Sequence, residues 1–256
     1  MADDGWTQVP RKSKPGVNFS RHLPASQTPT TTTTTTSNID RTNPPSRDIT
    51  LAQITADYQR KLKTWQQSQC RSATLRILDR IRPDSGWNIR TAVCLASGSF
   101  SRDNLECRRR SMWQIVVFID LAKHFVEGVK VVAQEPAYTD LDRVFLQTLH
   151  IEALEVDFEK GSGLGQAGKH LGKEAFVFEP FLDMDAVMMK EIVEADVALY
   201  VGSSIRGLMS RTNEVGALAK KFSESHRMYN FPEFEVDPNV LGGMGIYWKE
   251  EQEDET

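Results

Sequence analysis

Cysteine is scarce in this chain: Cys70, Cys94 and Cys107 are all it has, and no two stand in a CxxC spacing. That excludes a disulfide framework and a cysteine-held metal centre. The histidines, His22, His124, His150, His170 and His226, form no HExxH or HxH pair, and none neighbours a cysteine. No metal site is expected. Long apolar runs are absent as well. Nothing approaches the roughly 20 residues of a spanning helix, and Met1–Pro10 has no apolar signal core. The expectation is a soluble intracellular protein, cytoplasmic and/or nuclear, with no membrane partner. The Asn18-Phe19-Ser20 sequon carries no weight without a secretory signal. An excess of one charge sign is missing too. Against 35 Asp+Glu stand 31 Lys+Arg, a net charge of −4, and the five acids and one base of residues 249–256 account for all of it. The remainder is neutral and lacks the basic excess of a dedicated nucleic-acid binder.

What is there begins with a tail. Residues 1–47 hold Pro10, Pro15, Pro24, Pro29, Pro44 and Pro45 and an unbroken Thr30–Thr36 tract. Such a segment has too little apolar surface to offset its ordering entropy, so disorder is expected. Its one apolar-plus-basic island, Trp6-Thr7-Gln8-Val9-Pro10-Arg11-Lys12, reads either as a sticky stretch or as a motif for docking protein partners. From Ile49 the pattern turns helical. Leu51, Ile54, Tyr58, Leu62 and Trp65 fall on one face, and Leu75, Leu78 and Ile81 continue in a second helix that stops before Pro83.

The core then alternates. Apolar runs at Thr91–Ala96, Val129–Ala133, Ile151–Val156, Ala175–Phe178 and Val197–Val201 are separated by amphipathic stretches. The first carries Met112, Ile115, Val116, Ile119, Ala122 and Val126 and is expected to start at the Asp103/Glu106 capping pair; others span about residues 141–150 and 184–194. Short, fully apolar strands mean burial on both faces. The reading is an α/β, Rossmann-like three-layer sandwich with a mainly parallel sheet of about five strands, preceded by an amphipathic helical segment. Residues 48–248 form the domain, with its core at about 90–205, and 249–256 form an acidic, solvated tail. After Arg211, Glu214–Phe222 reads as a helix and Phe231–Val236 as an edge strand, where Pro232 is tolerated.

In such a sheet ligands sit beyond the carboxyl ends of the strands. The candidate ligand-binding residues are therefore Gly98, Ser99 and Ser101 after the first strand, Glu135, Pro136 and Asp142 after the second, and Gly202 and Ser203 after the fifth. Asp140 is expected to start the helix that carries Asp142. No catalytic residue stands out, and no cofactor is identified. Gly163-Leu164-Gly165-Gln166-Ala167-Gly168 matches GxGxxG, but no strand runs into it and no crossover helix leaves it, so it reads as a flexible loop. Ser97-Gly98-Ser99 has the wrong frame for a nucleophile elbow, and Cys94 reads as a small core residue. Arg108-Arg109-Arg110 spans too much of a helix to face one ligand; a solvated face with one Arg turned to the loop is expected.

These loops carry a resemblance. Val93-Cys94-Leu95-Ala96-Ser97-Gly98-Ser99, Arg110-Ser111-Met112-Trp113-Gln114, Gln134-Glu135-Pro136-Ala137-Tyr138-Thr139-Asp140 and Leu199-Tyr200-Val201-Gly202-Ser203-Ser204 are similar to the SRR1-like domain family (Sensitivity to Red Light Reduced), in the style of its fungal members. The chain departs from the family's usual pattern in the loop after Leu95, one glycine short, and in Glu135 for Asp. It departs again where the family often has Pro-His-Cys, which is Glu179-Pro180-Phe181-Leu182 here, without His or Cys, and in Ser203 for Asn. The resemblance implies a regulatory role tied to circadian and light signalling or to haem-synthesis regulation, and brings no established reaction. The favoured expectation is a non-enzymatic regulatory or scaffold protein with protein partners. The alternative is an enzyme or sensor that takes a nucleotide or related anion in the strand-end crevice. Loops converging on a concavity would favour the second; Phe100 and Phe181 filling the space would favour the first.

Overall fold

The computed structural model describes residues 43–125, 128–156 and 163–250. Its frame follows from the apolar runs. Strands β1 (Thr91–Leu95), β2 (Lys130–Gln134), β3 (Glu152–Ala153), β4 (Ala175–Glu179) and β5 (Leu199–Ser203) lie parallel. Val93 sits between Val132 and Val177 in register. β6 (Arg227–Asn230) and β7 (Met244–Trp248) complete the order β3-β2-β1-β4-β5-β7-β6, with β7 antiparallel to both its neighbours. The expected sandwich with its parallel core of five strands is present, and the sheet is two strands wider.

Helices cover both faces. On one side lie α1 (Leu51–Gln66), α2 (Gln69–Arg80), α3 (Leu105–Phe125) and α4 (Asp140–Thr148); on the other, α5 (Gly165–Gly168), α6 (Ala186–Ala195), α7 (Ile205–Met209) and α8 (Glu214–Ser225). The α1 stripe buries Ile54, Tyr58 and Trp65 as its spacing predicts, and a Thr50/Gln53 capping box starts it. Successive strand residues alternate between the two cores: Cys94 and Ala92 face the α3 side, Val93 and Leu95 the α6 side.

Several expectations are corrected. The stretch Phe231–Val236 is not a strand. The ladder ends with Phe231 N donating to Met244 O, because Pro232 has no amide to continue it. The chain then turns inward: the Phe234 ring sits 5.6 Å from Trp65 and 4.9 Å from Trp113, and Glu235 caps α2 by accepting from Gln69 N at 2.6 Å and Cys70 N at 3.2 Å. The edge strand is β6 instead. β3 pairs over two residues only. α3 starts at Leu105, capped by Asn104 Oδ1, which accepts from Cys107 N at 3.0 Å; Glu106 turns to Arg109 instead. α4 is started by Thr139, whose hydroxyl accepts from Asp142 N, not by Asp140. The last four residues of the GxGxxG stretch, Gly165–Gly168, form the short helix α5 where a flexible loop is expected. Gln134 clamps it, donating to Leu164 O and accepting from Ala167 N, each at 2.9 Å.

Asn43–Ser46, inside the stretch expected to be disordered, lie along the loop after β1. Asp103 N donates to Pro44 O, Ser46 N to Ser101 O, Asn104 N to Asn43 Oδ1 and an Arg102 nitrogen to Asn43 O, all within 2.9 Å. The Trp6–Lys12 island and the end of the acidic tail fall outside the described residues.

Candidate functional site

The loops after β1 and β2 meet at the carboxyl edge of the sheet, drawn together by two carboxylates. Glu135 Oε2 accepts from Gly98 N at 3.0 Å and Oε1 from Ala137 N at 2.8 Å. Asp142, fully buried, accepts from Ser99 Oγ at 2.5 Å, Phe100 N at 3.0 Å and Thr139 N at 2.9 Å. Ser97 Oγ meets Tyr138 Oη at 2.6 Å, and Ser101 Oγ meets Thr139 Oγ1 at 2.6 Å. Phe100, 1% exposed, plugs the space behind, its ring packed on Phe145 and Tyr138. Gly98 is required here. Its φ is +73°, and a Cβ would lie 2.2 Å from the Ser111 hydroxyl on α3.

Gly98, Ser99, Ser101, Glu135 and Asp142 are thus brought together, with Pro136 exposed at the rim. Gly202 and Ser203 belong to a second cluster, two strands away. Its centre is Glu179, the last residue of β4, fully buried. Oε2 accepts from Tyr200 Oη at 2.6 Å and Ser203 N at 3.2 Å; Oε1 accepts from Ser203 Oγ at 3.3 Å and from Leu182 N. A Cβ on Gly202 would meet Glu179 O at 2.4 Å, so only glycine lets β5 pass there. Beside this cluster Phe181 is 45% exposed, and the Arg110 guanidinium lies 4.5 Å from its ring centre. Arg110 is the arginine of the triplet turned to the loops; Arg109 pairs with Glu106 and Asp237.

The SRR1 domain model matches residues 62–248. The chain belongs to the SRR1 domain family. The match extends beyond the 90–205 span that the motifs mark. No curated protein matches the chain. Among solved structures, this SRR1 domain is similar to an O-methyltransferase of Bacillus cereus in complex with SAH, with 14% identity, 80% of this chain and 92% of that one covered, and a TM-score of 0.40. A candidate O-methyltransferase of Klebsiella pneumoniae gives 11% identity, 82% and 94% coverage and a TM-score of 0.40. A human methyltransferase 10 domain containing protein gives 11%, 70% and 81%, and 0.32. The strand order, with its antiparallel β7, is that of an α/β, Rossmann-like sheet.

The electrostatics of the SRR1 domain separate the two clusters. Burial raises the Glu135 carboxyl, while the amides of Ala137 and Gly98 pull it back. Burial pushes Glu179 further, up to about 7, with Tyr200, Leu182 and Ser203 opposing. Cys94, on β1 between the two, has its thiol driven far up by burial, with both carboxylates adding to it; it is no nucleophile. Sequence reasoning missed Tyr138, Tyr200 and Glu179 as site members. A glutamate closing an otherwise apolar strand, Ala175-Phe176-Val177-Phe178-Glu179, was the available signal. Among the described residues no group of His, Cys, Asp and Glu is arranged to hold a metal, and no helix is long and apolar enough to cross a membrane. A depression of about 690 Å³, lined by Lys173, Asp196, His226, Arg227 and Lys249 among others, opens at the opposite, amino end of the strands.

Proposed function

We propose that this SRR1 domain is a non-enzymatic regulatory or scaffold protein, acting through protein partners that its N-terminal segment helps to recruit. The observation carrying the reading is that the strand-end groups satisfy one another. The Gly98, Phe100 and Ala137 amides that would hold an anion already bond Glu135 and Asp142, and Phe100 occupies the space behind. A ligand would have to displace charge-assisted hydrogen bonds, which are the strong ones. Circadian, light-signalling or haem-synthesis regulation in the cytoplasm and/or nucleus is the setting the family suggests.

The competing reading, a nucleotide or related anion in the crevice, has one feature in its favour, the exposed Phe181 beneath Arg110. A thermal-shift screen of the intact chain against nucleotides, S-adenosylmethionine, haem and sugar phosphates separates the two. A ligand at 100 times its dissociation constant adds about 2.7 kcal/mol. The scaffold reading expects no shift across the panel. A reproducible shift abolished by both Ser99→Ala and Glu135→Gln would overturn it.

A further inference from the structure

Glu179 is a carboxylate without a cation. It is fully buried, no ion pair reaches it among the described residues, and every polar group around it is a donor: Tyr200 Oη, Ser203 N and Oγ, and Leu182 N. Three of these four donors are on β5. The fourth, Leu182 N, belongs to the turn that carries the exposed Phe181. The carboxylate therefore ties a surface turn to the sheet through one oxygen, Oε1, which the Leu182 amide shares with the Ser203 hydroxyl.

We propose that Glu179 is a proton-operated latch that holds the Phe181 turn when charged and releases the Leu182 amide when it takes up a proton. The rearrangement needs no new partner. A proton from solvent forms an O–H bond at Oε1, which then donates to Ser203 Oγ; that hydroxyl directs its own hydrogen to Pro180 O, 3.2 Å away. The Leu182 N–H is left facing a hydroxyl oxygen, a poor acceptor. Tyr200 and Ser203 N stay on Oε2. The released turn loosens the Phe181–Arg110 stack, and with it an aromatic face exposed at this end of the sheet.

The groups facing Glu179 set where the latch works. Tyr200 on β5 stabilises the charged form by its hydrogen bond. Cys94 on β1, its thiol driven up by burial, is neutral at ordinary pH, and Tyr247 on β7 packs beside Tyr200. The charged groups of the neighbouring elements are Glu135 after β2, which like Glu179 acts on Cys94, Arg110 on α3, which stacks on Phe181, and Asp183 and Asp185 after the turn. Burial dominates and brings the transition to about 7, inside the range a cell uses.

The test is carbon NMR of glutamate-labelled intact chain, with amide exchange of Leu182, between roughly pH 5 and 9. The latch expects the Glu179 side-chain carbon to titrate near neutrality. Leu182 protection should fall about tenfold on the acid side with the same midpoint, while the Phe100 amide, held by Asp142, does not follow. Glu179→Gln removes the transition. If that variant does not fold, Tyr200→Phe serves: losing a donor to the carboxylate moves the midpoint to higher pH. A flat Leu182 profile, a transition retained in Glu179→Gln, or an unmoved midpoint in Tyr200→Phe overturns the proposal. None of these outcomes depends on whether the crevice binds a small molecule.

Discussion

Gly98 shows how a single missing side chain sets a loop. Its backbone is left-handed and its missing Cβ lets α3 approach. Gly98→Ala is expected to cost about 1–3 kcal/mol by backbone strain and overpacking, read by urea unfolding. Adding Ser111→Ala recovers part of that loss by removing the hydroxyl in the way. A purely additive double mutant would show that the two never touch. Glu179 works through charge instead. Its native value of about 7 exceeds the roughly 4.3 of a free glutamate, so the folded state binds the proton more tightly. Its contribution is full below the unfolded value and lost as pH rises through 7. Urea midpoints should therefore fall between about pH 4.5 and 7.5, more steeply in wild type than in Glu179→Gln. The fold as a whole prefers the neutral acid, while the Leu182 tether prefers the carboxylate. Global stability and local protection should move in opposite directions.

At the scale of elements, the segment from Phe231 to Gly243 acts as a brace between β6 and β7. Phe234 is wedged between Trp65 of α1 and Trp113 of α3, while Glu235 caps α2. Phe234→Ala should cost about 3–5 kcal/mol and Glu235→Ala about 1 kcal/mol, both measured by denaturant unfolding; equal costs would show that the aromatic wedge is unimportant. This brace also marks where the sequence is hard to read. β1, β2, β4 and β5 were legible because each is an apolar run between amphipathic helices, a local signal. Phe231 and Phe234 have no such period. Their spacing fits neither face of a strand, and their partners Trp65, Trp113 and Met244 come from three other elements. Asp142 is a similar case. In sequence it is a polar residue on a new helix, and only the long-range approach of Ser99 and Phe100 shows why it is buried.

At the scale of the molecule, Asp142 joins two loops that the chain separates by about forty residues. Asp142→Ala would leave Ser99 Oγ, Phe100 N and Thr139 N without their acceptor, at roughly 1–3 kcal/mol for each group that finds no other. A loss near zero would mean that the loops hold without it. Asn43–Ser46, in a stretch whose composition suggests disorder, are held to the fold. A chain starting at residue 43 keeps the four hydrogen bonds from Asn43–Ser46 to the β1 loop, and one starting at residue 48 loses them. The longer form is expected to melt higher. Proline-rich composition reads as disorder there, but Arg102, buried with its guanidinium on Asn43 O and Ala137 O, supplies a polar anchor that composition does not reveal.

The placement of β7 between β5 and β6 has a consequence during synthesis. β6 precedes β7 in the chain yet touches the sheet only through it. When β6 emerges from the ribosome, its docking partner does not yet exist. The first five strands can assemble in their order of appearance, but β6 must wait for residues 244–248. A nascent chain arrested before Met244 would display a strand without a neighbour, and that interval is when a chaperone or an early partner would find it most accessible.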